Sequence, residues 1–459
     1  MASTSISKTY SSAGNRQKWT WSAWIKRSSL TSASNGQTLW NCEGSSASDN
    51  FIFQIDGGGG TGGPTDSIGL HTYGNDAFRT IPLLRDTSGW YHIVLALDTT
   101  QATATNRIKL YVNGVLQLYS QETNFPTQNY EMGINRAAKH CIGSHGTNAN
   151  YYFDGYMSHI HFCDGYQYAA SDFGETDSNG VWKIKTAPSV SYGTNGFFIL
   201  KDGNSLTDQS GNGKNLSVAG GTLTKTEDNP SNVFATLNPL GYAASANYTL
   251  ANGNTAKTTT GTTNAWRTAY GTMGASSGKY YWEIKITGSE SSDLGNFMLG
   301  IVSTEQVVNT SSNSYFTQYS HGYGYHAKTG NAMNNTTSSG SSYGASITTN
   351  NILGVAMDLD NNKLYFSKDG VFQNSGVPTS GSTGTGAAFT LASDITYLPA
   401  FAQYYGAERY AVNFGNGFFE TTEITTNTGT GYQDEDNNGR FYYDPPTNYR
   451  CLSTKGLNQ

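Results

Sequence analysis

The fold is decided by residues 350–373, NNILGVAMDLDNNKLYFSKDGVFQ, where three runs of β-forming residues alternate with turns. An apolar run ends at Asp358, a turn rich in Asp and Asn follows, and the run KLYF comes next. An Asp-Gly pair then leads into residues 371–372. Asp-Gly and Asn-Asn pairs favour tight hairpin turns, because these residues tolerate positive φ. The stretch therefore predicts a three-stranded antiparallel meander.

The same pattern occurs earlier in the chain, at residues 92–117, HIVLALDTTQATATNRIKLYVNGVLQ. Its apolar run ends at Asp98, the letters KLY recur at 109–111, and Gly-Val-Leu-Gln follows a tight turn at 114–117. This echo predicts that the chain uses one meander twice, once in each half.

Length and composition indicate a β protein with more than one domain. The 459 residues exceed one ordinary core, so two domains and their connections are expected. Charged residues make up 13% of the chain and aromatic residues another 13%, with 54 Gly, and no window shows a helical apolar stripe. Short β-branched and aromatic runs between Gly, Asn and Ser predict an all-β sandwich architecture with long polar loops.

Charge, hydropathy and cysteine usage exclude several classes of partner. The net charge is −6 and no basic block occurs, so nucleic acid is not an expected partner. The N-terminus lacks an apolar core region and no run approaches 18 apolar residues, so neither a secretory signal nor a membrane span is expected. The four scattered cysteines predict isolated thiols rather than a disulfide or metal site: Cys42, Cys141, Cys163 and Cys451.

Two strands of the first half have an informative alternation. Residues 16–27, RQKWTWSAWIKR, place Trp19, Trp21, Ala23 and Ile25 on one face, and Thr20, Ser22 and Trp24 on the other. That pattern predicts a sheet covered on both faces. In residues 152–162, YFDGYMSHIHF, strict alternation would put Tyr156, Ser158, Ile160 and Phe162 on one face, and Met157, His159 and His161 on the other.

The first half resembles a known family. The motifs SAWIKR, GWYHIVLALD, KLYVNGVLQ and YFDGYMSHIHFCDG, in that order within residues 1–170, resemble the laminin G-like branch of the concanavalin A-like jelly rolls. The resemblance implies two antiparallel sheets of short strands. Residues 171–241 are more polar and interrupted, and are interpreted as an ordered connector with four apolar anchors: Trp182, Phe197, Phe198 and Ile199.

The second half resembles another family of the same architecture. The ordered motifs GKYYWEI, MLGIV, GVAMDLD, KLYFSKDG, YLPAF and VNFG, within residues 242–420, resemble a SPRY domain, itself a concanavalin A-like sandwich. The prediction is therefore two tandem concanavalin A-like antiparallel β-sandwiches (jelly rolls). The C-terminal arm, residues 421–459, is expected to dock on a sandwich surface, because Tyr449, Cys451 and Leu452 need an apolar partner.

The acidic residues do not form the array that a glycoside hydrolase of this fold would use. Such an enzyme needs two carboxylates facing one cleft. Glu283 stands alone in YYWEIK, and Asp358 and Asp360 lie in a turn, where their carboxylates can bond nearby amides. No enzymatic activity is predicted.

The candidate metal ligands are few. His159 and His161 have i, i+2 spacing, but no third ligand follows in register. The laminin G-like resemblance implies a structural calcium ion at the sandwich rim, for which Asp98 and Asp154 lie at suitable turn positions. Asp154-Gly155 is equally a simple turn pair. No other cofactor is expected.

The candidate ligand-binding residues are tyrosines of the second sandwich. They lie among Ser, Asn and Gly, a composition suited to adaptable recognition of sugar rings or of protein. The alternative is that many of these rings fill the sheet. The set comprises Tyr315, Tyr319, Tyr323, Tyr325, Tyr343, Tyr404 and Tyr405.

The order of modules and the linker, with its DxSGNGxN run at 208–215, resemble structural proteins of tailed bacteriophages. The resemblance implies a virion protein made in the host cytoplasm, of tail-fibre, tail-appendage or capsid-surface type. Its partners would be other virion proteins, a host-surface glycan and further copies of itself. Two alternatives stay open: a carbohydrate-active enzyme of concanavalin A-like fold, and a SPRY-type protein-interaction module.

Overall fold

The computed structural model describes residues 3–31, 36–42, 44, 50–57, 64–72, 75–119, 124–146, 151–240, 249–258, 266–288, 297–307, 314–336, 340–404, 408–425 and 431–458. The chain divides into two compact units, Met1–Lys225 and Thr226–Gln459. The division falls inside the predicted connector, residues 171–241. The connector is therefore shared between the two units, and its part up to Lys225 packs within the first.

The strands of the first unit form two antiparallel sheets and a small hairpin. They are β1 (Ser5–Thr9), β2 (Lys18–Arg27), β3 (Gln37–Cys42), β4 (Phe51–Ile55), β5 (Ser67–Thr72), β6 (Asn75–Leu83), β7 (Tyr91–Asp98), β8 (Ile108–Val112), β9 (Val115–Leu116), β10 (Lys139–Ile142), β11 (Gly155–Asp164), β12 (Gly174–Thr176), β13 (Trp182–Ile184), β14 (Phe197–Ile199) and β15 (Ser217–Gly220). One sheet has the order β15-β1-β10-β3-β4-β5-β6, the other β14-β11-β2-β7-β8-β9, and β12 pairs with β13.

The alternation predicted for β2 is confirmed. Trp19, Trp21, Ala23 and Ile25 are fully buried in the core between the two sheets. On the other face, Trp24 stacks on His92 at a ring-centroid distance of 4.8 Å. Connector strand β14 extends the same sheet beside β11, and its Phe197 and Ile199 enter the core. The sheet is covered on both faces, as the pattern predicts.

The alternation predicted for β11 is wrong over half of the strand. His159 has a φ of +48° and lies where the pairing of β11 with β2 shifts register between Ser158 and His161. A bulge of this kind adds one residue to a strand and reverses its subsequent alternation. Met157 therefore packs against the core together with Ile160, whereas Tyr156 lies near Lys26 on the other side.

The second unit repeats the two-sheet arrangement. Its strands are β16 (Leu250–Ala251), β17 (Ala256–Lys257), β18 (Arg267–Tyr270), β19 (Lys279–Gly288), β20 (Phe297–Ser303), β21 (Gly322–His326), β22 (Asn331–Asn334), β23 (Ser341–Ser342), β24 (Ile352–Asp358), β25 (Lys363–Lys368), β26 (Val371–Phe372), β27 (Phe389–Thr390), β28 (Tyr397–Gln403), β29 (Arg409–Asn413), β30 (Phe418–Phe419), β31 (Thr422–Glu423), β32 (Tyr432–Gln433) and β33 (Arg440–Phe441).

The larger sheet of the second unit has the order β16-β17-β29-β19-β24-β25-β26, with β27 also paired to β25. The smaller sheet has the order β18-β28-β20-β21-β22-β23, and two short hairpins pair β30 with β31 and β32 with β33. The fold class is therefore as predicted: an all-β chain with two tandem jelly-roll sandwiches.

Helices are short throughout the described residues. The 3₁₀ turns are Ala104–Asn106, Ala170–Asp172, Thr304–Gln306, Phe316–Gln318, Gln373–Ser375 and Gly381–Thr383, and one α-helical turn, α1, spans Thr454–Leu457. Within this part of the chain, no helix has the length and apolar character needed to cross a membrane.

Both predicted meanders are present, as β7-β8-β9 and β24-β25-β26. In each meander, an ion pair between a lysine and an aspartate stabilises the first turn. Lys18 Nζ lies 3.2 Å from Asp98 Oδ2 in the first unit, and Lys279 Nζ lies 3.0 Å from Asp358 Oδ2 in the second. In both cases the lysine begins the neighbouring strand and is the register partner of the aspartate.

In the first unit, residues 166–192 cover the outer face of the meander sheet. Phe173 packs with Val94 and Cys163 of that face. Trp182 donates a hydrogen bond of 3.0 Å to Nδ1 of His92 and stacks on the same ring. This stretch includes the beginning of the predicted connector.

In the second unit, the C-terminal arm covers the corresponding face. Tyr281 and Tyr365 of the sheet form a buried cluster with Phe441, Tyr449 and Cys451 of the arm. The arm also extends the pairing of β19 at the end where β29 departs. There Arg450 N–H donates to Lys279 O and Tyr281 N–H donates to Arg450 O, each at 2.9 Å. Tyr449, Cys451 and Leu452 are fully buried.

Candidate functional site

Three of the predicted ligand-binding tyrosines are core residues, which corrects the sequence interpretation. Tyr323 and Tyr325 lie on β21, not on a loop, and alternate with Gly322 and Gly324, so both rings face the core of the second unit. Tyr315 is also buried, against the outer face of the smaller sheet. Exposed tyrosine and strand tyrosine have the same local composition here, and only the pairing of β21 distinguishes them.

The outer face of the smaller sheet is covered by the turn Phe316–Gln318. A Cβ atom added at Gly324 would lie 2.6 Å from the Thr317 methyl group and 3.1 Å from the Phe316 ring. Thr317 is fully buried and its hydroxyl lies 3.0 Å from the Met298 sulfur. The glycine therefore makes room for the turn, which places neighbouring Tyr315 against the sheet.

Three other predicted tyrosines keep part of their surface. Tyr319 is 37% exposed. Tyr343 is half-buried and its hydroxyl donates to Gly386 O at 3.1 Å. Tyr404 is half-buried at the end of β28. Tyr405 lies outside the described residues.

A tryptophan that the sequence interpretation did not select connects two of these positions. Trp266, at the start of edge strand β18, is half-buried. Its ring centroid lies 4.1 Å from that of Tyr315 and 5.6 Å from that of Tyr404. We call these three residues the aromatic rim. In the sequence, the only sign of this residue is the single Trp in NAWRTAY. Strand alternation alone does not distinguish an exposed Trp at this position from a core residue.

Glu283, on the larger sheet of the second unit, is a buried acid whose carboxylate bonds the C-terminal arm. Its side chain is fully buried on the outer face of β19. Oε2 accepts a hydrogen bond of 2.8 Å from Tyr442 N–H, and Oε1 accepts one of 2.7 Å from Tyr443 N–H. Asn413 Nδ2 donates to Oε2 at 3.2 Å. Burial raises the pKa of Glu283 to about 7, although the amide bonds act in the opposite direction.

The aspartates of the two meanders also have hydrogen-bond partners within the fold. Asp98 Oδ1 accepts bonds from the Thr100 N–H and hydroxyl at 3.1 and 2.6 Å. Burial acts to raise the pKa of Asp98, but these bonds and Lys18 together hold it below its usual value. Asp358 accepts from the Asn361 N–H at 3.0 Å, and Asp360 Oδ1 accepts from Gly278 N–H. The acids therefore fix turns and the arm.

The two residues selected for calcium do not meet. Asp98 pairs with Lys18 at one end of β2, whereas Asp154 precedes Gly155, the register partner of Arg27 at the other end. Nine strand steps separate these ends by about 30 Å. Asp154 Oδ2 instead accepts from the Ser29 hydroxyl at 2.8 Å. One calcium ion cannot be held by both carboxylates.

The histidines of β11 belong to the covered face. His161 is buried, stacks on Phe198 with ring centroids 3.9 Å apart, and has its Nδ1 2.9 Å from the Tyr192 hydroxyl. Burial lowers its pKa well below the usual value. The ring of His159 bonds the neighbouring Ser158 hydroxyl instead. Within the described ranges, no three His, Cys, Asp or Glu side chains are grouped as metal ligands.

The cysteine prediction is confirmed. Cys42, Cys141, Cys163 and Cys451 are all buried thiols that form no disulfide with one another. Burial raises the pKa of Cys163 and of Cys451 far above the usual value, so these thiols stay protonated.

Comparison with known families agrees with the two-domain architecture. Residues 3–167 match the Laminin_G_3 family, described as the Concanavalin A-like lectin/glucanases superfamily, and residues 279–417 match the SPRY domain. The chain thus contains a region similar to laminin G-like, concanavalin A-like domains, followed by a region similar to SPRY domains. Domains of these two types mediate carbohydrate binding or protein interaction.

The solved structures that match part of the chain include isolated SPRY domains. The SPRY domain of human HERC1 is 16% identical, with 38% of this chain and 96% of that one covered and a TM-score of 0.28. A Bacteroides ovatus protein described as carbohydrate binding is 17% identical, with 49% of this chain and 60% of that one covered and a TM-score of 0.30. No curated protein sequence matches the chain.

Proposed function

We propose that the protein is a non-catalytic binding protein whose second unit takes a host-surface glycan at the aromatic rim. The observation that carries the proposal is the half-buried pair Trp266 and Tyr404, backed by the buried ring of Tyr315. Such rings present a large surface with few torsions to immobilise, and their bodies are apolar while their edges bond polar groups. A sugar ring has the complementary combination of an apolar C–H face and peripheral hydroxyls.

The bonding of the acids supports a binding role without chemistry. Most glycoside hydrolases use a pair of carboxyl groups at the ligand. Glu283 bonds the C-terminal arm, and Asp98 and Asp358 bond amides of their own turns. The alternative of a carbohydrate-active enzyme would be established by release of reducing sugar from a bacterial surface polysaccharide.

We place this binding protein on the virion of a tailed bacteriophage, as a tail-fibre, tail-appendage or capsid-surface component. The support is the resemblance of the module order and of the 208–215 linker. Mass spectrometry of purified particles should then find the chain among the structural proteins at many copies. Its presence only in the soluble fraction of infected cells would contradict this placement and favour a SPRY-type interaction module.

A glycan array with the full chain tests the ligand. We expect a small group of related glycans to bind, and Trp266→Ala and Tyr404→Ala each to weaken binding about tenfold, or about 1.4 kcal/mol. The matched control is Tyr432→Ala, which removes a tyrosine that is 39% exposed on the arm. Thermal melting of each variant separates lost contact from lost folding. An array without hits, or equal losses in all three variants, would reject the aromatic rim.

A further inference from the structure

Residues 166–192, which cover the outer face of the meander sheet in the first unit, leave that sheet and return to it at the same place. We call them the strap. Asp164, at the end of β11, donates its N–H to Tyr192 O at 3.0 Å, and Asn195 N–H donates to the Asp164 carboxylate at 2.9 Å. Among the described strands, β12 and β13 of the strap pair with each other and form a sheet of their own. The strap can therefore leave the outer face without breaking the ladder of either large sheet.

One hydrogen bond and an apolar cluster hold the middle of the strap on the sheet. Among the described residues, the bond of 3.0 Å from Trp182 Nε1–H to His92 Nδ1 is the one that joins the β12–β13 hairpin to the sheet. His92 is fully buried, and its Nε2 lies 2.9 Å from the Ser22 hydroxyl. Beside this bond, Phe173 of the strap packs against Cys163 of β11, which is also fully buried. The strap thus shields a thiol that is accessible only when the strap opens.

The bond from Trp182 fixes the protonation state of His92. An indole N–H can only donate, so His92 Nδ1 must accept and carries no proton. The neutral ring then has its proton on Nε2, which donates to the Ser22 hydroxyl. A protonated ring would carry N–H groups at both nitrogens, and its Nδ1–H would oppose the Trp182 N–H. Burial acts in the same direction and lowers the pKa of His92 to about 3.

We propose that the strap is an acid-sensitive device: protonation of His92 removes the Trp182 bond and releases the strap from the outer face of the first unit. This device goes beyond the proposed glycan binding, which uses the second unit. In the open strap His92 contacts water and regains its ordinary pKa of 6.5, so the open state holds the proton more tightly than the closed state. The closed state is thus fully stable above about pH 6.5. Each pH unit below that value, down to about pH 3, favours opening by a further factor of about ten.

The surrounding titratable groups do not neutralise a charge on His92, because both of its nitrogens face neutral partners. Burial raises the pKa of Tyr111 and of Cys163 and lowers that of His161, so all three are neutral near pH 5. The charged residues of the hairpin lie outward: Glu175 and Lys183 are exposed, and Lys183 pairs with Asp177 at 2.6 Å. The other titratable groups of this face and its cover are Lys26 on β2, and Tyr168, Asp172 and Tyr192 on the strap.

Labelling of the native Cys163 in the full chain tests the device. The reagent is 4,4′-dithiodipyridine, which reacts with thiols at acidic pH, and peptide mass spectrometry assigns the label. Each rate is divided by that of a cysteine peptide at the same pH. We expect the corrected rate at Cys163 to rise about tenfold per pH unit between pH 6 and 4, or more steeply where His161 takes up a proton as well. Cys42 and Cys141, in the other sheet, report unfolding of the first unit and should react more slowly.

His92→Asn is the decisive variant, because the amide oxygen of Asn can accept the Trp182 N–H in place of Nδ1 but does not titrate. Its rate at Cys163 should rise about tenfold less per pH unit than that of the wild type. The matched control is His140→Gln. His140 is a buried histidine of the other sheet whose Nε2 accepts the Asn135 N–H at 2.9 Å, and its replacement should leave the slope at Cys163 unchanged.

Trp182→Phe tests the bond itself. It removes the donor at every pH, so the rate at Cys163 should rise about fivefold at pH 7, the equivalent of one lost hydrogen bond. Thermal melting at pH 7 checks that each variant folds. A wild-type rate at Cys163 that is independent of pH, an unchanged slope in His92→Asn, an unchanged rate in Trp182→Phe, or equal rates at Cys163 and Cys42 would each overturn the proposal. None of these results bears on the glycan array, so the two proposals fail separately.

Discussion

The carboxylate of Glu283 accepts a hydrogen bond of 2.7 Å from the backbone N–H of Tyr443. The two residues are 160 positions apart, and the second oxygen of the same carboxylate accepts from Tyr442 N–H. One buried side chain of β19 thus satisfies two consecutive amides of the C-terminal arm, next to a cluster of arm and sheet aromatics. The carboxylate of Glu283 thus has a structural role in holding the arm on the sheet.

Removing the carboxylate should loosen the arm. We expect Glu283→Ala to lower the free energy of unfolding of the second unit by about 3 kcal/mol, because two backbone amides of the arm lose their acceptor and a cavity replaces a buried side chain. Hydrogen exchange at Tyr442 and Tyr443 should accelerate in the variant. Glu435→Ala is the control, since Glu435 accepts from the Asn448 N–H at an exposed position. Equal effects of the two substitutions would contradict the role of Glu283.

The same residue predicts a pH dependence. Its pKa in the folded protein, about 7, lies above the ordinary 4.5, so the folded state holds the proton more tightly than the unfolded state does. The stabilisation is complete below about pH 4.5 and is lost as the pH rises through 7. The free energy of unfolding of the wild type minus that of Glu283→Gln, measured with denaturant at each pH, should show this decline.

The contribution of Glu408 must cancel in that experiment, because burial also raises the pKa of Glu408 to about 7. Glu283→Gln keeps Glu408, so the difference between the two proteins isolates Glu283. The buried Tyr281 and the neighbouring Tyr443 face the same carboxylate but have raised pKa values and stay neutral over this range. A difference that is flat between pH 5 and 7.5 would refute the assignment.

The meander ion pairs should contribute to stability through the aspartate. We expect Asp98→Ala to lower the free energy of unfolding by about 1–3 kcal/mol, because a buried turn loses its acceptor. Asp177→Ala is the matched control: Asp177 also accepts turn amides and pairs with Lys183, at a more exposed site. Chemical denaturation should show a clearly smaller loss for the control, and a reversed order would be contrary evidence.

Gly114 should not tolerate a side chain. It has a φ of +82°, and an added Cβ would lie 2.6 Å from the Trp182 ring that covers the sheet. Gly180 has the same φ with nothing within 4 Å. Gly180→Ala should therefore cost only the left-handed backbone, about 1–2 kcal/mol. Gly114→Ala should cost more, because the added methyl group would push the Trp182 ring away from the sheet, and a fluorescence shift should report the greater exposure of that ring to solvent. Equal melting temperatures of the two variants would show that Trp182 moves aside at no cost.

The sequence by itself determined the features that depend on neighbouring residues. Strand periodicity in residues 16–27 identified both faces of β2, and Asp-Gly and Asn-rich turns located both meanders. Asp358 can be recognised as a turn residue from the sequence because its hydrogen-bond partner, Asn361, lies three positions away, whereas the sequence offered Asp98 as a calcium ligand. Turns and strand faces can be predicted from the sequence because they depend on residues that are close together in it.

Tertiary structure decided what depends on distant chain. The bulge at His159 reverses the alternation of side chains along β11. The sequence gives no sign of the bulge, because the positive φ of His159 depends on strand pairing and not on residue type. Tyr323 and Tyr319 look alike in sequence, yet one lies in the core and the other on the surface, depending on whether a strand or a turn contains them. The role of Glu283 is set by arm amides that only folding brings to it.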